Sequence, residues 1–420
     1  MLPENPASET VHARCCIVGG GPAGMVCGFL LARAGVDVVV LEKHADFLRD
    51  FRGDTIHPST LELMYELGIL EEFLRRPHQE LSHIGAQIDD FTVAVADFSH
   101  LPTHCKFIGL MPQWEFLNFI AEKAKAYPRF HLRTETEVTD LLTENGKIAG
   151  VRAQSANGAL EVRADLTIGA DGRRSIVREK AGFEVLELGA PIDALWMRVS
   201  RQAGDPNQAL GRFRAGKILV TIDRGEYWQC AYVIPKGGFD AIRQKGLSSF
   251  QQEIASVAPF LRERLAEIKD WNDVKLLSVA VDRLRQWSRS GLLCVGDSAH
   301  AMSPIGGVGI NLAIQDAVAA ANELAAPLAK GAVSDAHLRA VQQRREFPTR
   351  VTQGFQVFAH KRFIGPAMRH PHRINRLPLA LKLLQLFPVL RRIPARLVGM
   401  GVRPEHVRTP DTKLQSSRQS

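Results

Sequence analysis

Residues Cys15 to Gly24 read Cys-Cys-Ile-Val-Gly-Gly-Gly-Pro-Ala-Gly, and Glu42 closes the next apolar run. The pattern is strand, glycine turn, helix, strand, acid. Gly19, Gly21 and Gly24 fit G-x-G-x-x-G, and Glu42 lies 18 residues past the last glycine, near the spacing of a ribose-binding acid. Each residue type answers a physical need. Gly19 permits a tight turn, Gly21 has no Cβ to hold off a pyrophosphate, and Gly24 lets the helix close on its strand. Pro22 and Ala23 open that helix, whose free N–H groups and positive dipole end suit phosphate oxygens. Glu42 accepts from ribose hydroxyls, with Lys43 beside it in the same candidate set. The segment predicts a site for an ADP-containing dinucleotide.

Two distant segments bear on which dinucleotide. Leu166 to Arg178 reads as a short strand, an Asp171-Gly172 turn and a basic helix carrying Arg173, Arg174 and Arg178. Leu292 to His300 is another buried-type strand ending in Gly296-Asp297, and it runs on through Pro304, Gly306, Gly307, Gly309, Ile310 and Asn311 into an alanine-rich helix. Asp297, at a strand end, is placed to accept from ribityl or ribose hydroxyls. The glycine turn offers backbone N–H groups at a helix start, where partial positive charge collects. Such a place stabilises the negative charge of a reduced flavin.

In these three ordered motifs the chain resembles the FAD-dependent aromatic hydroxylases, the group A flavoprotein monooxygenases that include para-hydroxybenzoate hydroxylase and the ubiquinone-pathway hydroxylases. The resemblance spans about residues 13 to 350. It implies Gly19, Gly21, Gly24 and Glu42 on the ADP half of FAD, Asp297 on the ribityl chain, and Ile310 and Asn311 at the isoalloxazine. It also implies Arg52 and the segment to His57 along the cofactor, Gln113 as a contacting side chain, and Asp171 near the pyrophosphate and a transient nicotinamide. The implied reaction uses NADPH or NADH and O2 to hydroxylate an aromatic or similarly electron-rich small molecule through a flavin C4a-hydroperoxide. The cofactor carries the hard chemistry, so no metal or catalytic triad is called for. No histidine or cysteine stands at a linkage motif, which predicts non-covalent FAD.

Acid–base candidates are His57, in the loop expected beside the flavin, and Tyr232, on a strand of the presumed substrate sheet with Tyr227 and Gln229. Other readings stay open. A flavin-dependent halogenase needs Trp-x-Trp-x-Ile-Pro, and Tyr227 to Pro235 supplies the Ile-Pro without paired tryptophans. An isoprenoid or lipid reductase would suit an apolar basic tail. A non-enzymatic flavin-binding protein is the third alternative.

The elements that must position these residues give an α/β fold. A Rossmann-type FAD-binding domain of the glutathione-reductase-like kind would take 1–80, 111–183 and 284–330. An inserted antiparallel β-sheet substrate domain would take 81–110 and 184–283, with C-terminal helices and a basic tail over 331–420. Asn145-Gly146 and Asn157-Gly158 are hairpin signals, and 113–126, 237–270, 312–328 and 336–358 read as helices.

The 420 residues are 45% apolar and 23% charged, ordinary for a globular chain. The net charge of +8 is unevenly placed. From His360 to Pro410 eleven Lys or Arg face one acid, Glu405, and no nucleic-acid module accompanies them. The tail is expected to pack as solvated helices and to be dispensable for FAD; a second reading lays it on an anionic membrane. Six cysteines without metal spacing read as reduced thiols, and Met1 to Thr10 lacks a signal pattern, so the expected location is cytoplasmic, with peripheral membrane contact as the variant. Oligomeric state is open.

Overall fold

The computed structural model describes residues 9–48, 55–206, 210–369 and 377–413. Its centre is a parallel sheet built from short, continuously apolar runs, the signature of strands covered on both faces. Strand β1 (Glu9–Val18) pairs with β2 (Val38–Leu41), reached through helix α1 (Pro22–Arg33); beyond β2 lies β3 (Phe130–Arg133), and on the other side of β1 lie β4 (Gly158–Gly169) and β5 (Leu292–Cys294). The order β5-β4-β1-β2-β3 reverses at β1. An α/β sheet binds its ligand at such a reversal, beyond the strand C-termini.

Helix α1 is buried from Ala23 to Ala32 because it is pressed between this sheet and helix α2 (Val308–Ala329). Its near-uniform apolarity fits a helix with no wet side. The hairpin of Thr136–Glu144 and Lys147–Ser155 adds antiparallel strands to β4. Asn145 (φ 49°) and Gly146 (φ 79°) form its turn, where two successive positive φ values match strand twist.

The second sheet has seven strands, in the order 275–277, 192–200, 227–235, 217–223, 210–214, 83–88, 91–97. It departs from the antiparallel expectation at one pair: Leu210–Arg214 runs parallel to His83–Ile88. Those strands come from separate passes of the chain, so no hairpin dictates their direction. The helix read over 237–270 is broken at Gly246 (φ 88°) and Pro259 into Phe239–Lys245, Leu247–Val257 and a 3-10 stretch, Pro259–Glu267. One sheet face, with Leu195, Met197, Leu219, Trp228, Cys230 and Tyr232, is sealed under these helices. The other face, with Trp196, Arg198, Val220, Ile222 and Tyr227, is half-buried to exposed.

The tail packs back on the rest of the chain. After helix α3 (Asp335–Ala359), helices α4 (Leu379–Leu386) and α5 (Arg392–Gly399) lie on strand Phe91–Asp97, and the terminal segment returns to the first domain. There Glu405 meets Arg345 at 3.2 Å and Arg344 at 2.7 Å, while Arg345 Nε donates to Asp316 at 2.9 Å. Asp316 also joins His300 at 2.5 Å and accepts from the Gly296 N–H at 3.1 Å. Burial would raise the Asp316 carboxyl, but His300 and Arg345 hold it below its usual range. All six cysteines are buried and free, and burial pushes Cys16, Cys27 and Cys230 up to about 12. Among the described residues no helix is long and apolar enough to cross a membrane.

Removing one partner of a buried ion network strands the rest. Glu405→Ala is expected to cost roughly 3 kcal/mol, read as a lowered urea midpoint with FAD content followed in parallel; an unchanged midpoint would make Glu405 incidental.

Candidate functional site

The three motif glycines do three different jobs. A Cβ on Gly19 (φ 105°) would sit 2.5 Å from the Ala170 carbonyl oxygen, so β1 and the Asp171 segment touch only through glycine. A Cβ on Gly24 would lie 1.9 Å from the Gly19 oxygen. Gly21 is different: its φ is ordinary and a Cβ there would meet nothing within 4 Å. The protein does not require glycine at that point. Gly21 faces open space at the start of α1, where Pro22 and Ala23 present the helix N-terminus. Glu42 closes the turn, accepting from the Gly20 N–H at 2.9 Å and the His44 N–H at 3.1 Å. Lys43 points outward, 4.0 Å from Glu137.

Asp171 approaches this turn by its backbone, while its carboxylate accepts from Ser175 Oγ at 2.6 Å and the Val177 N–H at 3.2 Å and so caps the short helix Ile176–Lys180. Burial raises its carboxyl despite those donors. Arg173 joins the two distant motifs, lying 3.8 Å from Asp297. Gln113 is the first residue of helix Gln113–Lys125, behind Pro112.

The second helix start is α2. Gly306 (φ 76°) and Gly307 (φ 64°) turn the chain into it, and the first-turn N–H groups of Val308, Gly309 and Ile310 have no intrahelical acceptor. A Cβ on Gly309 would meet only Met302, at 3.7 Å. The Asn311 side chain is saturated by the chain itself. Its Nδ2 donates to the Thr55 and Gly307 carbonyls at 2.9 and 3.3 Å; its Oδ1 accepts from the His57 N–H at 2.9 Å and Thr60 Oγ1 at 2.8 Å. An amide has no further capacity. Thr55 Oγ1 adds a bond to the Gly307 oxygen at 3.0 Å.

Neither acid–base candidate turns its polar atoms to the open sheet face. Tyr232 lies on the sealed sheet face, its hydroxyl bonded to Glu253 at 2.7 Å, and burial raises it well above the phenol range. Residues alternate along a strand, so Tyr227 and Gln229 take the opposite face. The His57 ring turns to the tail, with Nδ1 donating to the Val398 carbonyl at 2.8 Å, and burial lowers its pKa to about 4. Its Nε2 opens, like Gln315 Nε2, on a cavity of about 30 Å³ lined by Val308, Leu312 and Val398, and no residue of the open sheet face lines it. Arg52 lies outside the described residues.

Ile222 of the open face packs against the cluster that includes Ile108 and Leu110. Strand Ile108–Leu110 pairs with Thr55–Ile56, and Thr55 is bonded to Gly307 and Asn311. The face carries two residues that motif reading missed, Trp196 and Arg198. Arg198 stacks on Tyr227, 3.9 Å from the ring centroid, and is paired in register with Gln229. Strand alternation from Gln229 was the available signal. A larger cleft of about 480 Å³, lined by Ala32, Gly35, Tyr127 and Thr412, lies at the C-terminal end of α1. The helix dipole there has the wrong sign for phosphate.

Two helix starts, each opened by glycines, thus stand at the parallel sheet. Residues 12–354 match the FAD binding domain family, and the chain belongs to that family. It is 34% identical over 367 residues to 6-methylpretetramide 4-monooxygenase of Streptomyces rimosus, covering 86% of each chain. Two solved structures share the fold. They are p-nitrophenol 4-monooxygenase of Pseudomonas putida DLL-E4 (TM-score 0.73, 18% identity, 93% and 98% coverage) and anhydrotetracycline hydroxylase of Streptomyces rimosus (TM-score 0.71, 20% identity, 93% and 76% coverage).

Gly21→Ala is expected to keep the fold by circular dichroism and to lose FAD, whereas Gly24→Ala should lose the fold. Gly309→Val should likewise be folded and impaired in flavin binding or reduction. Full FAD content in both folded variants would take the cofactor out of these cradles. His57 adds a pH signature. Its folded pKa of about 4 lies below the unfolded value near 6.5, so only the unfolded chain gains this proton between those values. Stability should therefore fall by roughly 3 kcal/mol as pH drops from about 6.5 to 4, and His57→Gln should flatten that part of the profile.

Proposed function

We propose that this flavoprotein hydroxylates an aromatic small molecule held against the open face of the seven-stranded sheet. The observation that carries the reading is that face, where Trp196, Ile222 and Tyr227 lie with the exposed Arg198. Ile222 there packs against the cluster whose Ile108–Leu110 strand pairs with the Thr55 segment bonded to Gly307 and Asn311. Gly19, Gly21, Pro22, Ala23, Gly24 and Glu42 would hold the ADP half of FAD, and Asp297 the ribityl chain. The N–H groups of Val308, Gly309 and Ile310 would meet the pyrimidine edge of the ring. FAD, when bound, supplies the redox chemistry that couples NAD(P)H to O2. Overall, NAD(P)H gives two electrons, one oxygen atom enters the ring and the other leaves as water.

The chain's own contribution is placement and exclusion. The α2 dipole favours negative charge at its N-terminus. Trp196, Ile222 and Tyr227 offer an apolar wall that keeps water from the reacting ring. Arg198 presents a charge to a phenolate or carboxylate substituent and so fixes which ring carbon is oxygenated. The halogenase reading gains nothing here, since Trp228 is on the sealed face, its Nε1 donating to Asp205 at 2.7 Å.

Turnover of NADH or NADPH with a panel of phenols and aromatic acids under 18O2 should give product heavier by one labelled oxygen. Label-free product, or reduction of the substrate without O2, would overturn the reading. Arg198→Leu should raise KM for the aromatic substrate by about 10- to 100-fold, the range of a lost charge-assisted bond, with FAD content unchanged.

A further inference from the structure

Helices α4 and α5 are two-faced in an unusual sense. Their inner face is apolar and packed: Leu377 and Leu381 lie with Ile88 and Val93, and Ala395 and Val398 lie with Phe98 and Leu101. Their outer face is also apolar. Leu379 is 73% exposed, Leu386 71% and Ile393 65%, with Leu383, Phe387 and Val389 exposed among them. Leu379, Leu383 and Leu386 recur at helical spacing, so they form one stripe. A contiguous apolar surface of this kind marks a docking site.

Charge identifies what docks. Residues 377–404 contain Lys382, Arg391, Arg392, Arg396 and Arg403 and no Asp or Glu. A second copy of the chain meeting this face symmetrically would set these cations against their own counterparts, with no acid between them. An anionic lipid surface complements both properties: headgroups for the cations and acyl chains for the leucines. Among the described residues no helix can cross a bilayer, so the contact lies in the interface plane.

We propose that the outer face of α4 and α5 docks this protein on an anionic phospholipid membrane. The docked helices are hydrogen-bonded to the candidate site. Val398 of α5 accepts from His57, whose N–H is held by Asn311 at the start of α2. The proposal stands independently of the substrate reading.

FAD-loaded protein should be co-sedimented with phosphatidylcholine vesicles with and without phosphatidylglycerol, at low and high salt. We expect at least tenfold stronger partitioning onto the phosphatidylglycerol vesicles, weakened by salt as charges are screened. The double variant Leu386→Ser/Ile393→Ser changes only exposed side chains. It should retain FAD and its circular dichroism spectrum yet lose binding at least tenfold. Arg392→Glu should lose the preference for anionic over neutral vesicles. Equal or absent binding to the two vesicle types would overturn the proposal. So would a micromolar dimer that the double variant converts to monomer, which would assign the face to a second copy.

Discussion

The fold of the candidate site depends on one close approach, the contact of backbone with backbone at Gly19. The Gly19 N–H donates to the Leu41 carbonyl at 2.8 Å, and the Ala170 N–H donates to the Val18 carbonyl at 2.7 Å, so β1, β2 and β4 end together. Any side chain at Gly19 would drive the Asp171 segment away, and any side chain at Gly24 would lift α1 off the turn. Because these two positions are filled by backbone, the intervening Gly21 is left facing open space at a helix N-terminus. The cradle is thus a consequence of close packing on either side of it, with the N-terminus of α1 left open.

Helix α2 carries the same logic to the other end of the site. Two polar residues on its buried surface, Asn311 and Asp316, are fully engaged, one with the 55–60 segment and the other with Gly296, His300 and Arg345. A buried polar group left without a partner is costly, which makes these bonds a constraint on the fold. Glu405 supplies the last charge to this set from the far end of the chain, which makes the tail part of the support for the Gly296–Asp297 turn. Glu405, the tail's single acid, is turned inward, whereas Arg392 and Arg396 are exposed.

The backbone requirements were legible in the sequence because they are written as residue types. Glycines at 19, 21 and 24, an acid at 42 and asparagine-glycine turns each answer a local constraint. What was not legible depended on partners brought from far away. The amide of Asn311 could be assigned to a flavin or to the chain with equal ease until Thr55, His57 and Thr60, some 250 residues earlier, were seen around it. Tyr227 and Tyr232 differ by an odd number of residues and so point to opposite faces, yet the intervening Trp-Gln-Cys-Ala is apolar enough on both sides to hide which face is sealed. Glu405 was visible as the one acid in a basic tail, but its value lies in Arg345, whose burial no local pattern announces.

The proposed function requires FAD to span from the Gly21 turn to the first turn of α2. The most direct test is the electron density of the FAD-bound protein. Pyrophosphate oxygens are expected within hydrogen-bond reach of the Pro22–Gly24 helix start, a ribose at Glu42, and the isoalloxazine edge at the Val308, Gly309 and Ile310 N–H groups, with the open sheet face across from the ring. Flavin density that leaves either helix start untouched, or that places the ring against the sealed face of the sheet, would contradict it.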